Sequence, residues 1–559
     1  MNVDAVLVLN RSDVTRIAEE PARFEGRRLL FVDPGLLDKA AMKGLRNYEF
    51  RPLAVGPDFH ARAAAEALAR ATLLDQRLTA ERERLWPGPA LEGWDVGRYF
   101  MALLRAAITR QMGRLIEAGF PETRIGLLRP RLPQQMYFDS FIATDLIGAD
   151  AGRFAVIDSY DTVRWQQLQA YALVFDAAAL GATMATGRVS AVSHVPTCFY
   201  DRPWLADEVS RAHAYTIDLP SPFWDVPLHR SVVPLRPLAS VAPDAAALAY
   251  RDRAARVLED TLGDLLPNPL ARAQQVQAWA GRCHWQAVNH QALRTAFAGT
   301  RPHFLLADQD TGSNGPIFSL ADELGSPITV VPHSGHPSMV VPHGRRVTAV
   351  ERAGYGTRAR TVLGQPVPTR AVRYARKASR QPHEAVRTVS VLLNSMLTET
   401  MSYVDVVALA AFYKPLQALC AAAGVELILR PKPGAPALSV LGWALGVPAE
   451  SLVPRIVQPL EELAEATQLC IAYGEPTTGV APFLDAGSLV LQVNEQRWPA
   501  DYLVCMPLVA EGVIPLLDNR AALARVQALV TDADAFRQAQ RAQSAVYDQR
   551  WQAAHEHLF

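Results

Sequence analysis

Short apolar runs alternate with longer segments of helical periodicity along most of the chain. Apolar runs bounded by polar residues predict β-strands at 4–10, 28–33, 124–130 and 153–159. Residues 94–119 place apolar side chains three and four positions apart and end at a glycine, which predicts an amphipathic helix. Strands that alternate with helices are typical of parallel sheets covered by helices, so the pattern predicts an α/β fold.

The same alternation continues through the middle of the chain. A second helical segment is predicted at 164–182. Residues 244–300 are rich in Ala, Arg and Gln and contain few strand-forming residues, which predicts a helical insertion. The strand pattern resumes at 303–310, and after a helix at 315–325 another strand is predicted at 327–333.

A second series of strands follows a basic stretch at 345–387, which we interpret as a connection between domains because it has little apolar periodicity. These strands are predicted at 388–395, 425–431, 468–474 and 488–493, with helices between them. The predicted domains have these bounds: 1–375 for an amino-terminal Rossmann-like domain with the helical insertion, 386–520 for a carboxyl-terminal Rossmann-like domain, and 521–559 for helices that pack back on the amino-terminal domain.

Composition places the chain among folded, multidomain proteins. Half of its 559 residues are apolar and 20% are charged, and the length exceeds what one hydrophobic core usually serves. The 56 basic and 56 acidic residues cancel, which disfavours a nucleic-acid partner. Five scattered cysteines without a CxxC pair, an amino terminus without a signal-peptide pattern and the lack of a long apolar run predict a cytoplasmic location.

Two loops after predicted strands of the second series carry residues suited to binding phosphate. Thr477 and Thr478 can cap a helix whose first backbone N–H groups, including that of Gly479, can bind an anion. Arg430 and Lys432 leave a neighbouring strand and can supply positive charge. An ordinary N-cap beside a solvated basic loop is the alternative interpretation. Neither the dinucleotide fingerprint GxGxxG nor a P-loop occurs in the chain.

The motifs VLGQP, SVLLNS, GVELILRPKP and PLEELAEATQLCIAYGEPTTGVAPFLDAGSLVLQV follow one another and precede a terminal helix. Their order resembles the donor half of GT-B glycosyltransferases. More narrowly, it is similar to bacterial enzymes of capsule, lipopolysaccharide and teichoic acid assembly, including transferases of 3-deoxy-manno-octulosonic acid (Kdo) and the bacterial sialyltransferases. In those enzymes a His-Pro dipeptide and a Ser/Thr pair hold the nucleotide phosphates. Lys432 and Pro433 stand at the first of these places, and Thr477 and Thr478 at the second.

This resemblance implies a GT-B fold, in which two Rossmann-like domains face a cleft and the carboxyl-terminal one binds the nucleotide. It implies no metal and no cofactor besides the nucleotide-activated sugar. Glu475 begins an acidic motif like that of retaining GT-B enzymes, although Phe483 lies where the second acid is expected. Asn394 and Ser395, at the end of the first strand of that domain, are further candidates for contact with the base, sugar or phosphate.

The loop PITVVPHSGHPSMVVPHG at 327–344 contains His333, His336 and His343. Three histidines at these spacings could ligate zinc, but no carboxylate completes a convincing set. Turn histidines that hydrogen-bond to the backbone are a second interpretation. The catalytic interpretation places His333 and His336 in the cleft, where one imidazole moves protons and the other binds an anionic group of the donor.

Asp308 and Asp310 lie one β-α unit earlier, in the segment ADQDTGSNG, and are therefore expected beside these histidines. Glycosyl transfer needs a base for the acceptor hydroxyl or a carboxylate that attacks the anomeric carbon, and either aspartate can serve. A turn or cap role is the alternative for each. Asp158, after another predicted strand, is a reserve candidate.

The sequence therefore predicts a glycosyltransferase that acts on a nucleotide-sugar donor and a glycan or lipid-linked glycan acceptor of the bacterial surface. A CMP-linked ulosonic acid such as Kdo is the favoured donor. An NDP-hexose transferase, a teichoic-type glycerol-phosphate transferase and a non-catalytic GT-B-like glycan-binding scaffold are the alternatives. The basic stretch 345–387 is interpreted as a solvated linker, with peripheral contact at the inner face of the plasma membrane as a second role.

Overall fold

The described residues form three large parallel sheets, which we number in chain order, and two smaller sheets of two strands each. No described helix is both long and apolar enough to cross a membrane. The computed structural model describes residues 3–87, 91–94, 96–131, 143–148, 152–161, 174–175, 177–194, 203–213, 216–218, 232–234, 237–238, 245–266, 268–307, 315–331, 338–341, 344–352, 358–361, 365–373, 382–393, 405–433, 438–475, 477–497 and 507–559.

The first sheet contains five parallel strands with helices between them. Its strands are β1 (Ala5–Val8), β2 (Arg28–Phe31), β3 (Tyr48–Phe50), β4 (Ile125–Pro130) and β5 (Phe154–Tyr160), and its helices are α1 (Arg11–Glu19), α2 (Leu37–Met42), α3 (Phe59–Leu85), α4 (Val96–Gly119) and α5 (Ala143–Gly148). The strand order is β3-β2-β1-β4-β5. All of β1 is apolar and fully buried, as expected of a strand covered on both faces. The strands and the long helix predicted for this region are confirmed.

The second sheet contains seven parallel strands in the order β16-β14-β12-β11-β7-β8-β9. These are β7 (Ala191–His194), β8 (Thr216–Asp218), β9 (Val232–Pro234), β11 (His303–Ala307), β12 (Ile328–Val331), β14 (Val347–Arg352) and β16 (Thr369–Val372). The two small sheets pair β6 (Val174–Phe175) with β10 (Pro237–Leu238) and β13 (Ser338–Val341) with β15 (Arg358–Thr361). The helices are α6 (Ala177–Ala185), α7 (Pro203–Ala212), α8 (Ala245–Leu262), α9 (Pro269–Ala296) and α10 (Gly315–Leu324).

The described part of residues 1–375 contains two separate parallel sheets, and the predicted domain bounds stay a prediction. Two predictions of secondary structure for this part of the chain change. The helix predicted at 164–182 is wrong at Val174–Phe175, which form β6, while residues 162–173 lie outside the described part. The connection predicted at 345–387 contains β14, β15 and β16. These strands have four to six residues and few apolar side chains, so no long apolar run marks them in the sequence.

The third sheet contains five parallel strands in the order β18-β17-β19-β20-β21. The strands are β17 (Thr388–Leu393), β18 (Glu426–Pro431), β19 (Leu469–Tyr473), β20 (Leu489–Val493) and β21 (Leu516–Leu517). The helices are α11 (Val406–Ala422), α12 (Leu438–Leu445), α13 (Ala449–Val457), α14 (Leu460–Ala466), α15 (Ala481–Ala486), α16 (Pro507–Ala510), α17 (Asn519–Thr531) and α18 (Ala533–Ala553). The four strands predicted in this region are confirmed.

Buried side chains connect the first and third sheets, and the end of the chain pairs with the second sheet. The helices α8 and α9, which lie within the residues 244–300 predicted to be helical, share one hydrophobic core with α3, α4 and the first sheet. A second core contains residues of both the first and the third sheet, and there the Asp38 carboxylate accepts the backbone N–H of Leu438 at 2.7 Å and begins α12. At the end of the chain, α18 packs on β20, and His555 pairs with Val372 at the edge of the second sheet.

Candidate functional site

The third sheet reverses its strand order between β17 and β19. The chain passes from β17 through α11 to β18 on one side, and then returns to β19 on the other side. Open α/β sheets bind ligands at such a crossover point, at the carboxyl ends of the strands. Leu393 pairs with Tyr473 at these ends. The predicted residues Asn394 and Ser395 come directly after β17, but they lie outside the described residues.

A tight turn begins the loop that follows β19. Gly474 has a φ of +95°, which glycine adopts without strain, and its N–H donates to the Val493 carbonyl at 2.8 Å. The buried Gln492 side chain donates to the Ala472 and Gly474 carbonyls at 3.0 and 2.7 Å. These bonds fix the point at which the loop with the predicted donor-binding residues leaves the sheet.

The residues after this turn form a short 3₁₀ helix, Thr478–Val480, that leads into α15. The Thr477 hydroxyl accepts the N–H of Gly479 at 3.2 Å, so Thr477 caps the turn, as predicted from its residue type. The Gly479 amide that was predicted to bind the donor is therefore occupied by Thr477 in this structure. Glu475 and Thr477 are half-buried beside the crossover point. The Thr478 side chain lies outside the described part of the structure.

Arg430 and Lys432 leave β18 on the other side of β17. The Arg430 guanidinium donates to the Pro431 and Ile456 carbonyls at 3.2 and 3.3 Å, so it binds the carboxyl-terminal end of α13. Its Nε is buried without a partner among the described residues, and burial lowers the pKa of Arg430. Lys432 is exposed at the same edge of the sheet. The contribution of either cation to phosphate binding stays a prediction.

Sequence reasoning missed a group of polar side chains at the same edge. Asp405 caps α11 by accepting the N–H groups of Val407 and Ala408 at 2.9 and 3.0 Å, and burial raises the pKa of its carboxyl. Glu495 follows β20 and accepts the N–H of Asn519 at 2.6 Å. The polar residues that directly follow the apolar run of β20 were the available signal for Glu495.

The second sheet has its own crossover point, between β7 and β11. From β7 the chain builds β8 and β9 on one side, and from β11 it builds β12, β14 and β16 on the other. The parallel pairing of Ala307 with Val331 confirms that the loops after β11 and β12 leave neighbouring strands. The predicted residues of these loops lie outside the described part of the chain, so their roles stay predictions: Asp308, Asp310, His333 and His336.

The end of the loop after β11 is held by a buried tryptophan. The indole N–H of Trp94 donates to the Ser319 hydroxyl on α10 at 2.7 Å. A Cβ atom on Gly315, the first residue of α10, would lie 2.3 Å from the Trp94 Cα, so only glycine fits this contact. The loop that carries the two predicted catalytic aspartates therefore rejoins the fold at a fixed point.

The reserve candidate Asp158 lies on β5 of the first sheet and is engaged in ion pairs. Its carboxylate oxygens lie 2.8 Å from the Arg16 guanidinium and 2.9 Å from that of Arg23. This arrangement holds α1 and the segment after it against the sheet. Among the described residues, no group of three or more His, Cys, Asp or Glu side chains is arranged to hold a metal ion.

No protein-family model and no curated protein matches the chain. Among solved structures, it is similar to the spinosyn rhamnosyltransferase SpnG complexed with thymidine diphosphate, at 15% identity over 65% of this chain and 96% of that one, with a TM-score of 0.32. The SpnG complex with spinosyn aglycone matches at 14% identity over 65% of this chain and 97% of that one, also with a TM-score of 0.32. Likeness at this score does not establish a common fold or activity.

Proposed function

We propose that this chain is a nucleotide-sugar-dependent glycosyltransferase that binds its donor at the third sheet and its acceptor at the second. The best support is that each of these sheets leads into a predicted polar loop at its crossover point. These loops are 474–479 in the third sheet and 308–314 in the second. Parallel sheets bind ligands at such points, and a transfer between two substrates needs two binding sites.

In the proposed reaction, Asp308 or Asp310 removes the proton of an acceptor hydroxyl, whose oxygen then bonds to the anomeric carbon. The bond between that carbon and the phosphate oxygen breaks, and the nucleotide leaves with the electron pair. Lys432 stabilises the charge on the leaving phosphate, and the Thr477 hydroxyl binds that phosphate. His333 relays protons. In the double-displacement alternative, the same carboxylate attacks the anomeric carbon first.

The proposed donor is a CMP-linked ulosonic acid such as Kdo, and the proposed acceptor is a bacterial surface glycan at the inner face of the plasma membrane. The support is the sequence resemblance in the two phosphate motifs, Lys432-Pro433 and Thr477-Thr478. Because lysine stands where histidine is expected, an NDP-hexose or glycerol-phosphate donor is the alternative within the same reaction class.

Thermal unfolding with CMP, CDP or UDP tests the donor site, because a ligand that binds only the folded state raises the melting temperature. We expect CMP to give the largest rise and Lys432→Ala and Thr477→Ala to reduce it. Lys414→Ala, on the exposed face of α11, is the matched control. A rise with CMP that both site variants retain would contradict this placement of the donor.

A non-catalytic glycan-binding scaffold is the second candidate. The observation that favours it is that the Arg430 guanidinium and the Gly479 amide, both predicted to bind phosphate, donate to protein acceptors. In that case none of the three nucleotides shifts the melting temperature. Asp308→Asn and Asp310→Asn then leave glycan binding unchanged.

A further inference from the structure

Large apolar side chains are exposed where α2, β3 and α12 meet. Met42 is 87% exposed, Trp443 69% and Tyr48 38%. The Trp443 ring lies edge-on to the Phe50 ring at 6.2 Å, and Tyr48 shares the Phe50 face of β3 because the two residues are two positions apart. Asp38 on α2 bonds to the start of α12, and Met42 lies one turn further along the same face of α2. We call the surface formed by Met42, Tyr48 and Trp443 the α2–α12 surface.

The turn that carries part of this surface is fixed by hydrogen bonds. Gly44 has a φ of +70°, and the N–H of Leu45 donates to the Ala40 carbonyl at 3.0 Å, which ends α2. The Asn47 side chain donates to the Arg27 carbonyl at 3.0 Å, and this bond ties the turn to the segment before β2. The Leu45 side chain packs against the core that the first and third sheets share. The exposed apolar side chains at the two ends of this turn therefore extend from a fixed backbone.

Basic side chains lie beside the apolar ones. The segment between Asp38 and Glu49 contains three basic residues and no acidic one. Lys43 and Arg46 are exposed, and neither forms an ion pair within the described part of the chain. The two flanking acids are already bonded, Asp38 to the N–H groups that begin α12 and Glu49 to arginine side chains. The adjoining residues 25–28 add two arginines and one acid. This part of the protein therefore carries an excess of positive charge, although the charges of the whole chain cancel.

This combination of side chains fits an anionic lipid bilayer. Tryptophan and tyrosine concentrate at the boundary between water and hydrocarbon, where the ring contacts acyl chains and its polar atom stays hydrated. Lysine and arginine beside such anchors are attracted to anionic headgroups. A symmetric dimer of this chain would instead bring the cations of both copies together, and like charges facing each other disfavour such an interface.

We propose that the α2–α12 surface docks the protein on a membrane that contains anionic phospholipid. Trp443, Tyr48 and Met42 insert among the headgroups, and Lys43 and Arg46 bind lipid phosphates. Docking itself needs neither nucleotide nor sugar. Under the proposed function it also holds the enzyme at the surface that carries a lipid-linked acceptor, and only this consequence rests on the proposed function.

Co-sedimentation of the full chain with vesicles tests this proposal. Vesicles of phosphatidylcholine mixed with phosphatidylglycerol should bind the protein, vesicles of phosphatidylcholine alone should bind it much more weakly, and added salt should reduce the binding. The double variant Lys43→Glu/Arg46→Glu should lower the partition coefficient at least about tenfold. Trp443→Ser should lower it at least about fivefold, because it removes the largest apolar anchor.

Two control variants make matched changes elsewhere on the chain. Arg520→Glu/Arg525→Glu changes the net charge by the same amount at exposed positions of α17, which packs beside β20 and β21. Val156→Ser removes an apolar side chain that is 40% exposed on β5, at the opposite edge of the first sheet from β3. Both controls should bind the anionic vesicles nearly as well as the natural protein.

The proposal is overturned if the natural protein does not bind the anionic vesicles, or if Lys43→Glu/Arg46→Glu and the double variant on α17 reduce binding equally. If Trp443→Ser fails to fold, Met42→Ser replaces it, since that side chain is the most exposed of the three. Sedimentation without vesicles gives a further outcome: dimers that Trp443→Ser abolishes would assign the surface to a second copy of the chain. Because no nucleotide is present, a negative result here leaves the donor-site test unaffected.

Discussion

Two sets of buried polar side chains lie in the same hydrophobic core and differ in how their hydrogen bonds are met. The Arg82 guanidinium donates to the Leu91 carbonyl and the Tyr250 hydroxyl at 2.9 and 2.8 Å, and it pairs with Asp75. The side chains of Gln286 and His290, on α9, have no hydrogen-bond partners among the described residues. The core around Trp94 can thus satisfy a buried charge, whereas polar atoms of Gln286 and His290 stay unbonded among the described residues.

The largest expected effect concerns Arg82, whose hydrogen bonds are met in the core. Arg82→Met leaves the Asp75 carboxylate buried without its cation, and we expect a loss of about 3 to 5 kcal/mol in the free energy of unfolding. Urea denaturation measures it. Arg84→Met is the control on the same helix, because the Arg84 side chain is 61% exposed and its ion pair contributes little. If Arg82→Met lowered the free energy of unfolding as little as Arg84→Met does, the buried bonds of Arg82 would not contribute to stability.

The partners of the buried Asp13 carboxylate are uncharged hydrogen-bond donors, so this residue tests hydrogen bonding apart from charge pairing. It is fully buried and accepts from the Leu9 and Asn10 N–H groups at 3.0 Å and from the Tyr160 hydroxyl at 2.6 Å. Burial raises the pKa of its carboxyl to about 7. The folded chain therefore holds a proton that the unfolded chain releases near pH 4, and this contribution to stability is lost as the pH rises toward 7.

Between pH 5 and pH 8, we expect the natural protein to lose up to about 3 kcal/mol of unfolding free energy through this group. Asp13→Asn should flatten that part of the pH dependence. Asp161→Asn, whose side chain is 70% exposed, is the control and should keep it. Parallel pH profiles for Asp13→Asn and the natural protein would show that the hydrogen bonds suffice to keep Asp13 ionised.

Gly315 contacts Trp94, whose ring lies beside both Arg82 and His290. An alanine there would place its Cβ 2.3 Å from the Trp94 Cα, so the backbone has to move, and we expect a loss of about 1 to 3 kcal/mol in urea denaturation. Gly119→Ala, at the end of α4, is the matched control because a Cβ there has nothing within 4 Å. Equal effects of the two substitutions would contradict a rigid contact at Trp94.

The smallest effect concerns the indole hydrogen bond. Trp94→Phe keeps an aromatic ring but removes the donor to the buried Ser319 hydroxyl, which should cost about 1 kcal/mol beyond the lost packing. In a double-mutant cycle with Ser319→Ala, the coupling between the two changes measures this bond. Additive effects of the two substitutions would mean that the bond contributes nothing to stability.

The strands were predictable where an apolar run is long enough to be buried on both faces. The strands β17 to β20 lie within the predicted ranges, and the adjacency of β11 and β12 followed from their single intervening helix. Short strands with few apolar residues, such as β15 and β16, were missed. The sequence predicted which polar residues of the candidate site follow the strands. It did not predict that Arg430 donates to the Ile456 carbonyl, because this bond depends on how α13 packs on β18.

The sequence alone determined the strands that are long apolar runs, the long amphipathic helix α4 and the polar residues that follow those strands, because periodicity and residue type act over a few neighbouring positions. Only the tertiary structure decided that residues 1–375 divide between two sheets, since strand pairing joins segments far apart in the chain. It also decided that Arg82 finds hydrogen-bond partners, whereas the side chains of Gln286 and His290 find none in the part of the chain that the structure describes. Hydrogen bonds between distant segments depend on packing geometry, which no local pattern contains.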